Sequence, residues 1–207
     1  TTGTASFTPT DDSIYEGDET GIVAISSVSG GSATESGNQS VTITIDENET
    51  APVVNLSINN SSIAENSDGT ITVTATLSFA TIINTTVVLD TSGTATEGTD
   101  YGNISDITIS AGDTTGTATF DPTDDTVYEG NETATVTIAN VVGADAGSTT
   151  SQTITITEND STPVVTLATS ATSIAENAGS SLTLTATLSN ATTEDVTVAL
   201  STSGTGT

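Results

Sequence analysis

The sequence predicts an all-β chain of immunoglobulin-like, seven-stranded antiparallel β-sandwich repeats in tandem. Three observations carry that expectation. Apolar residues alternate with threonine over many short runs, as strands with one buried face require, and no stretch has helical periodicity. Thr and Val are frequent in these runs, and their branched Cβ atoms favour extended backbone. The chain also repeats itself. Pro52-Val53-Val54-Asn55-Leu56 returns as Pro163-Val164-Val165-Thr166-Leu167, Ser62-Ile63-Ala64-Glu65-Asn66 as Ser173-Ile174-Ala175-Glu176-Asn177, and Thr91-Ser92-Gly93-Thr94 as Thr202-Ser203-Gly204-Thr205, each 111 residues on.

Two acidic stretches obey nearly the same spacing. Pro122 follows Pro9 by 113 residues, whereas Glu158-Asn159 follows Glu47-Asn48 by 111, so a two-residue length difference falls in the Gly/Ser-rich loop at 29–40 against 143–151. Residues 1–51 therefore read as the C-terminal part of one repeat, 52–162 as a complete repeat, and 163–207 as the N-terminal part of the next. Neither end piece is expected to bury a full core alone, so the chain reads as a window on a longer array or as one completed by neighbouring copies. A unit near 111 residues suits beads on a string better than a solenoid.

Within the complete repeat, strands are expected at about 53–58, 70–79, 84–91, 104–110, 114–121, 131–142 and 152–158. Ile71, Val73, Ala75 and Leu77 share one face of the second, while Thr fills most outward positions. Tyr15 and Tyr128 stand just before the sixth strand of their repeats and read as packing tyrosines at a strand corner.

Charge narrows the function. The formal net charge is −27, from 27 acidic residues and no Lys, Arg or His. Nothing in such a chain neutralises phosphate, so nucleic acid is excluded as an electrostatic partner. Anionic membrane surfaces are disfavoured, and no apolar run approaches spanning length, so no membrane insertion is expected. Inorganic cations are the partners this balance invites. With no Cys, His or Lys, the usual catalytic bases and activated nucleophiles are missing. Paired carboxylates hydrolyse glycosides, but no aromatic sugar platform or cleft-building insertion is present, and the chain reads as a non-enzyme. Oxygen-only ligands point to calcium or magnesium.

The acids are not scattered. Asp121-Pro122-Thr123-Asp124-Asp125-Thr126-Val127-Tyr128-Glu129-Gly130-Asn131-Glu132-Thr133 crowds five carboxylates into 13 residues, and Phe7 to Thr20 repeats the theme. Like charges at this density either splay in water or gather round a metal. If each strand crosses the sandwich and the next returns, one pole receives Glu65, Asp68, Glu97, Asp100, Asp121, Asp124, Asp125, Glu129, Glu158 and Asp160. The other receives little beyond Asp113 and Asp145. The chain leaves for the next repeat at the acidic pole, since Pro163 follows Asp160 by three residues.

Ser62-Ile63-Ala64-Glu65-Asn66, the Gly93-to-Tyr101 stretch ending in Glu97-Gly98-Thr99-Asp100-Tyr101, and the Asp124-Asp125-Thr126-Val127-Tyr128-Glu129 turn together resemble the Calx-β motif. That motif is known from sodium–calcium exchangers, integrin β4 and many bacterial surface proteins. The resemblance implies calcium ligands at Glu65, Asp100, Asp124, Asp125, Glu129 and Asp160, with the backbone carbonyl of Val127. Glu158-Asn159-Asp160 stands where the family has an all-Asp run. In the first repeat the matching positions are Asp11, Asp12 and Glu16, with Glu47 and Glu49 beyond; the third keeps Glu176. The implied function is a structural repeat region of an extracellular adhesin, fibre or stalk on a bacterial cell surface, stiffened by calcium at the joints between repeats. Its partners are then calcium ions and neighbouring repeats or copies of the chain. The alternatives are a surface-recognition module for glycan or ice on flat Thr-rich faces, and a passive spacer without calcium.

Overall fold

The computed structural model describes residues 2–177 and 179–205. The end pieces read at 1–51 and 163–207 thus include Thr1, Ala178, Gly206 and Thr207, which lie outside the described residues. The described chain is all-β. It begins with the antiparallel pair β1 (Glu19–Ala24) and β2 (Ser40–Ile45).

A complete sandwich follows, built from β3 (Val53–Ile58), β4 (Ser62–Ala64), β5 (Ile71–Leu77), β6 (Thr85–Gly93), β7 (Ile107–Ile109), β8 (Thr115–Phe120), β9 (Val127–Tyr128), β10 (Glu132–Val142), β11 (Asp145–Ala146) and β12 (Ser151–Thr157). One sheet has the order β4-β12-β10-β6-β7 and the other β11-β3-β5-β8. The chain then forms β13 (Val165–Thr169), β14 (Leu184–Leu188) and β15 (Ala191–Thr192). Among the described residues no helix is long and apolar enough to cross a membrane.

The seven strands read from the sequence correspond to β3, β5, β6, β7, β8, β10 and β12. The fourth shrinks from seven residues to Ile107–Ile109. Three short strands, β4, β9 and β11, lie outside that expectation. After β3 the chain crosses to the facing sheet, where β4 lies parallel to β12 with Ile63 opposite Ile156. In the same way β11 leaves the end of β10 and lies parallel to β3. Three- and two-residue strands have too short a pattern to show a period.

The period-two alternation is met on both sheets. Val54 and Leu56 on β3, Ile71, Val73, Ala75 and Leu77 on β5, and Ala118 and Phe120 on β8 are buried. They meet Val87 on β6, Ile107 and Ile109 on β7, Ala134 and Val136 on β10, and Ile154 and Ile156 on β12. A fully buried Ile, Leu, Val or Phe contributes about 1.5–3 kcal/mol, so this core is a main source of the sandwich's stability. The tyrosine in the core is Tyr101, whose ring stacks on Phe120 at 4.6 Å between centroids. Tyr15 and Tyr128, expected to pack in that role, are half-buried. Tyr128 belongs to β9, which pairs with β15 of the following segment and not with its own core.

Gly93 ends β6 with φ of 135°, and a Cβ there would run into the Thr133 backbone. No other residue tolerates that combination.

Candidate metal centre

Three connections bring the acids to one end of the sandwich. The crossing of β3 into β4 delivers Glu65, whose N–H donates to the Thr157 carbonyl at 3.0 Å. The loop after β6 is stitched to the acidic turn: Thr123 N–H donates to the Asp100 carbonyl and Gly102 N–H to the Asp121 carbonyl, both at 2.9 Å. The end of β12 supplies Glu158 and Asp160.

Glu158 organises the turn. One of its carboxylate oxygens accepts the backbone N–H groups of Glu129 at 2.6 Å and Gly130 at 2.9 Å, and the other accepts that of Asp160 at 2.7 Å. Burial opposes its charge, but these backbone donors outweigh burial and hold its pKa below the ordinary value. Glu97, also assigned to this pole by strand parity, locks its own loop by accepting from the Thr91 hydroxyl and the Ile104 N–H, each at 2.7 Å.

Among the described residues, two sets of carboxylates remain with oxygens close to one another. Glu65, Asp125 and Asp160 each offer an oxygen within 4.8 Å of the others, and so do Asp100, Glu129 and Glu132. Glu65 is buried, and its pKa is pushed up to about 7 by desolvation, with Glu158, Asp125 and Asp160 adding repulsion. The backbone N–H of Asp125 offsets part of this at 3.3 Å. Asp160 is raised by burial and then by Glu158, Asp124 and Asp125. Among the described residues its Oδ2 is buried with no hydrogen-bond partner. A buried carboxylate oxygen without a donor is costly unless a cation meets it, so the residues present fit a hard metal ion.

In the second set burial raises Glu129, with Asp100, Asp125 and Glu158 adding to it. Glu132 is raised to about 7 by burial, and then by Asp100, Glu129 and Glu158. Glu132 was read only as part of the acidic stretch and not as a ligand. Glu16 and Glu19 repeat the Glu129/Glu132 spacing in the first segment, and that repetition was the available signal.

The remaining candidates lie around these sets. Asp124 accepts from the Asn159 side chain at 3.2 Å. Val127 begins β9, its N–H held by the Asp125 carboxylate at 2.6 Å. In the first segment Asp12 accepts the Ile14 N–H at 2.8 Å, Asn48 donates to Asp11 at 3.1 Å, and Glu47 accepts from the N–H groups of Glu16 at 2.6 Å and Gly17 at 2.7 Å. The polar scaffold of the turn is thus repeated. Asp11, Asp12 and Glu16 there line an open hollow of about 340 Å³, and among the described residues they join no three-carboxylate set.

The Calx-beta domain family model matches residues 46–160, more than half of the chain. Among solved structures the chain is similar to the apo-form Calx CBD1 domain, at 21% identity and a TM-score of 0.45, covering 52% of this chain and 99% of that one. It is also similar to CBD12 from CALX1.2, at 22% identity and a TM-score of 0.46, covering 52% of this chain and 44% of that one. No curated protein matches. The sandwich, its acidic pole and the family match converge: the chain belongs to the Calx-beta domain family.

Proposed function

We propose that this chain is a structural repeat region whose sandwich binds calcium at its acidic pole, and that bound calcium stiffens the joint to the next repeat. The observation that carries this reading is the Oδ2 of Asp160, buried and unpartnered among the described residues, beside Glu65 and Asp125. Those three residues would hold one ion and Asp100, Glu129 and Glu132 a second, with Asp124 and the Val127 carbonyl at their rim. Calcium is favoured over magnesium because the donors are many carboxylate oxygens on loops, whereas magnesium demands strict octahedral geometry and keeps its waters. When bound, the cation supplies the positive charge that this chain lacks.

The joint is where that charge would act. β9 pairs in parallel with β15, Val127 opposite Ala191 and Tyr128 opposite Thr192. The strand pair that links the two repeats therefore grows out of the turn carrying Asp124, Asp125 and Glu129. Ordering the turn orders β9, and with it the seat of β15. Tandem repeats, high acidity and freedom from disulfides suit an adhesin, fibre or stalk at the cell surface or outside the cell, whose partners are calcium and neighbouring repeats or copies of the chain.

One observation favours a surface-recognition role instead. Thr72, Thr74 and Thr76 on β5 stand opposite Thr119, Thr117 and Thr115 on β8, a regular array on the outer face. The other sheet has similar pairs, Thr133 with Thr155 and Thr135 with Thr153, so the array is not distinctive and this reading ranks second.

Calorimetry on the chain tests the main proposal. Calcium should bind more tightly than magnesium, and Asp124→Asn with Asp125→Asn should weaken it at least tenfold. Equal heats for parent and double variant would remove the site. X-ray scattering should show a more extended, less flexible particle in calcium than in chelator.

A further inference from the structure

We propose that Asn159 is a positioning residue: its neutral side chain clamps Asp124 at the edge of the pole, keeps that carboxylate out of both acidic sets, and so limits the pole to two ions. That role deepens the calcium reading, on which the ion count rests, but the clamp itself needs no cation. Asn159 Nδ2 donates to Asp124 Oδ1 at 3.2 Å. A carboxylate only accepts, so it is the amide nitrogen of Asn159 that satisfies it. Among the described residues Asp124 belongs to neither three-carboxylate set, whereas Asp125 beside it joins Glu65 and Asp160. Distance alone does not separate the two, because Asp124 is near enough to Asp160 to help raise its pKa.

The clamp occurs twice in the chain. By the repeat spacing Asp11 corresponds to Asp124 and Asn48 to Asn159, and Asn48 Nδ2 donates to Asp11 Oδ1 at 3.1 Å. The preceding glutamates also act alike. Glu158 accepts the N–H groups of Glu129 and Gly130 on one oxygen and that of Asp160 on the other; Glu47 accepts those of Glu16 and Gly17 on one and that of Glu49 on the other. Their own N–H groups donate back to the turns, to Asn131 and Asp18, at 3.0 Å in each copy. In the first segment Asp11 is clamped although, among the described residues, no three-carboxylate set forms there. The clamp is therefore not a by-product of a set. In the central triplet Glu158 holds the turn backbone, Asn159 holds the turn's aspartate, and Asp160 is left to face Glu65 and Asp125.

Charge explains why an amide fits between two acids. An aspartate at position 159 would set two carboxylates at hydrogen-bond distance in a chain with no Lys, Arg or His to offset them. Without metal they would repel. With Asp160 beside them they would offer calcium a third group of three acids. The amide instead gives Asp124 a donor to a charged acceptor and adds no charge of its own. Asp124 also lies in the turn that runs into β9, and Asn159 lies on the exit toward Pro163, so the clamp ties exit to turn before any ion arrives.

Equilibrium dialysis, which counts ions per chain, and thermal melts in chelator at low ionic strength test this on the 207-residue chain. Asn159→Asp should bind one calcium ion more than the parent. In chelator its central transition should fall by roughly 2–4 °C, and added monovalent salt should shrink that deficit. Swapping the pair, Asn159→Asp with Asp124→Asn, keeps the parent's net charge and lets the same bond form in reverse. The swap should return both the ion count and the melting temperature to those of the parent. Both residues are exposed, so neither substitution disturbs the core. An Asn159→Asp variant that gains no ion would overturn the limit on ion number. A variant as stable as the parent in chelator, or a swap that leaves the deficit in place, would overturn the clamp. If the parent itself binds no calcium, the calcium reading fails and the ion limit with it, while the melts in chelator still decide the clamp.

Discussion

Glu65 accepts a hydrogen bond from the backbone N–H of Asp125 at 3.3 Å, across 60 residues of sequence. This contact ties the crossing after β3 to the acidic turn, and it places a buried carboxylate beside two others. One neutral N–H donor does not offset that burial, since the Glu65 pKa stands at about 7. Without a cation, burial of the charged Glu65 carboxylate therefore works against folding above its pKa.

Replacing Glu65 by Gln keeps the volume and an acceptor for the Asp125 N–H but removes the buried charge. In chelator the variant should therefore melt higher than the parent, by roughly 2–5 °C. Calcium should raise its melting temperature much less than it raises that of the parent. Thermal melts in both media measure this, and a lower melting temperature for Glu65→Gln in chelator would show that the carboxylate stabilises the metal-free fold.

The pH dependence follows from the same groups. Glu65 and Glu132 have folded-state pKa values of about 7 against an ordinary value of 4.5. The folded protein then binds more protons than the unfolded chain between those limits, so metal-free stability falls as pH rises from about 4.5 to 7. Glu47, held down to about 2 by the N–H groups of Glu49, Glu16 and Gly17, acts in the opposite sense, and that contribution is lost only as pH falls from 4.5 through 2. Calcium competes with the protons on Glu65 and Glu132. Denaturant titrations in chelator should show greater stability at pH 5 than at pH 7.5, and added calcium should reverse the order. A chelated protein more stable at pH 7.5 would contradict the assignment.

Gly93 and Gly204 share one backbone conformation but not one environment. Gly93→Ala adds a clash with the Thr133 backbone to the cost of a positive φ, and it should lower the stability of the central sandwich by at least about 3 kcal/mol. Gly204→Ala should leave the central transition where it is. Comparable losses in the two variants would mean that the third segment is already packed within a single molecule.

Much of this was legible in the sequence because it depends on local period and on repetition. Alternation on β3, β5, β8, β10 and β12 marks the residues that become the core, and strand parity sends Glu65, Asp100, Asp125, Glu129 and Asp160 to one end. Neither inference needs a side-chain position, since a strand inverts its faces at every residue and its direction at every turn. The tertiary structure alone decided what each acid does there. Glu158 spends its oxygens on backbone N–H groups and Glu97 on Thr91 and Ile104, while Glu132 joins Asp100 and Glu129. It also decided that Tyr101 enters the core while Tyr128 pairs with the following segment. A carboxylate at the rim of a sandwich can turn toward a turn, a loop or a neighbouring acid within one residue's reach. Which of these it meets is set by contacts between loops dozens of residues apart, and a local sequence pattern does not encode those.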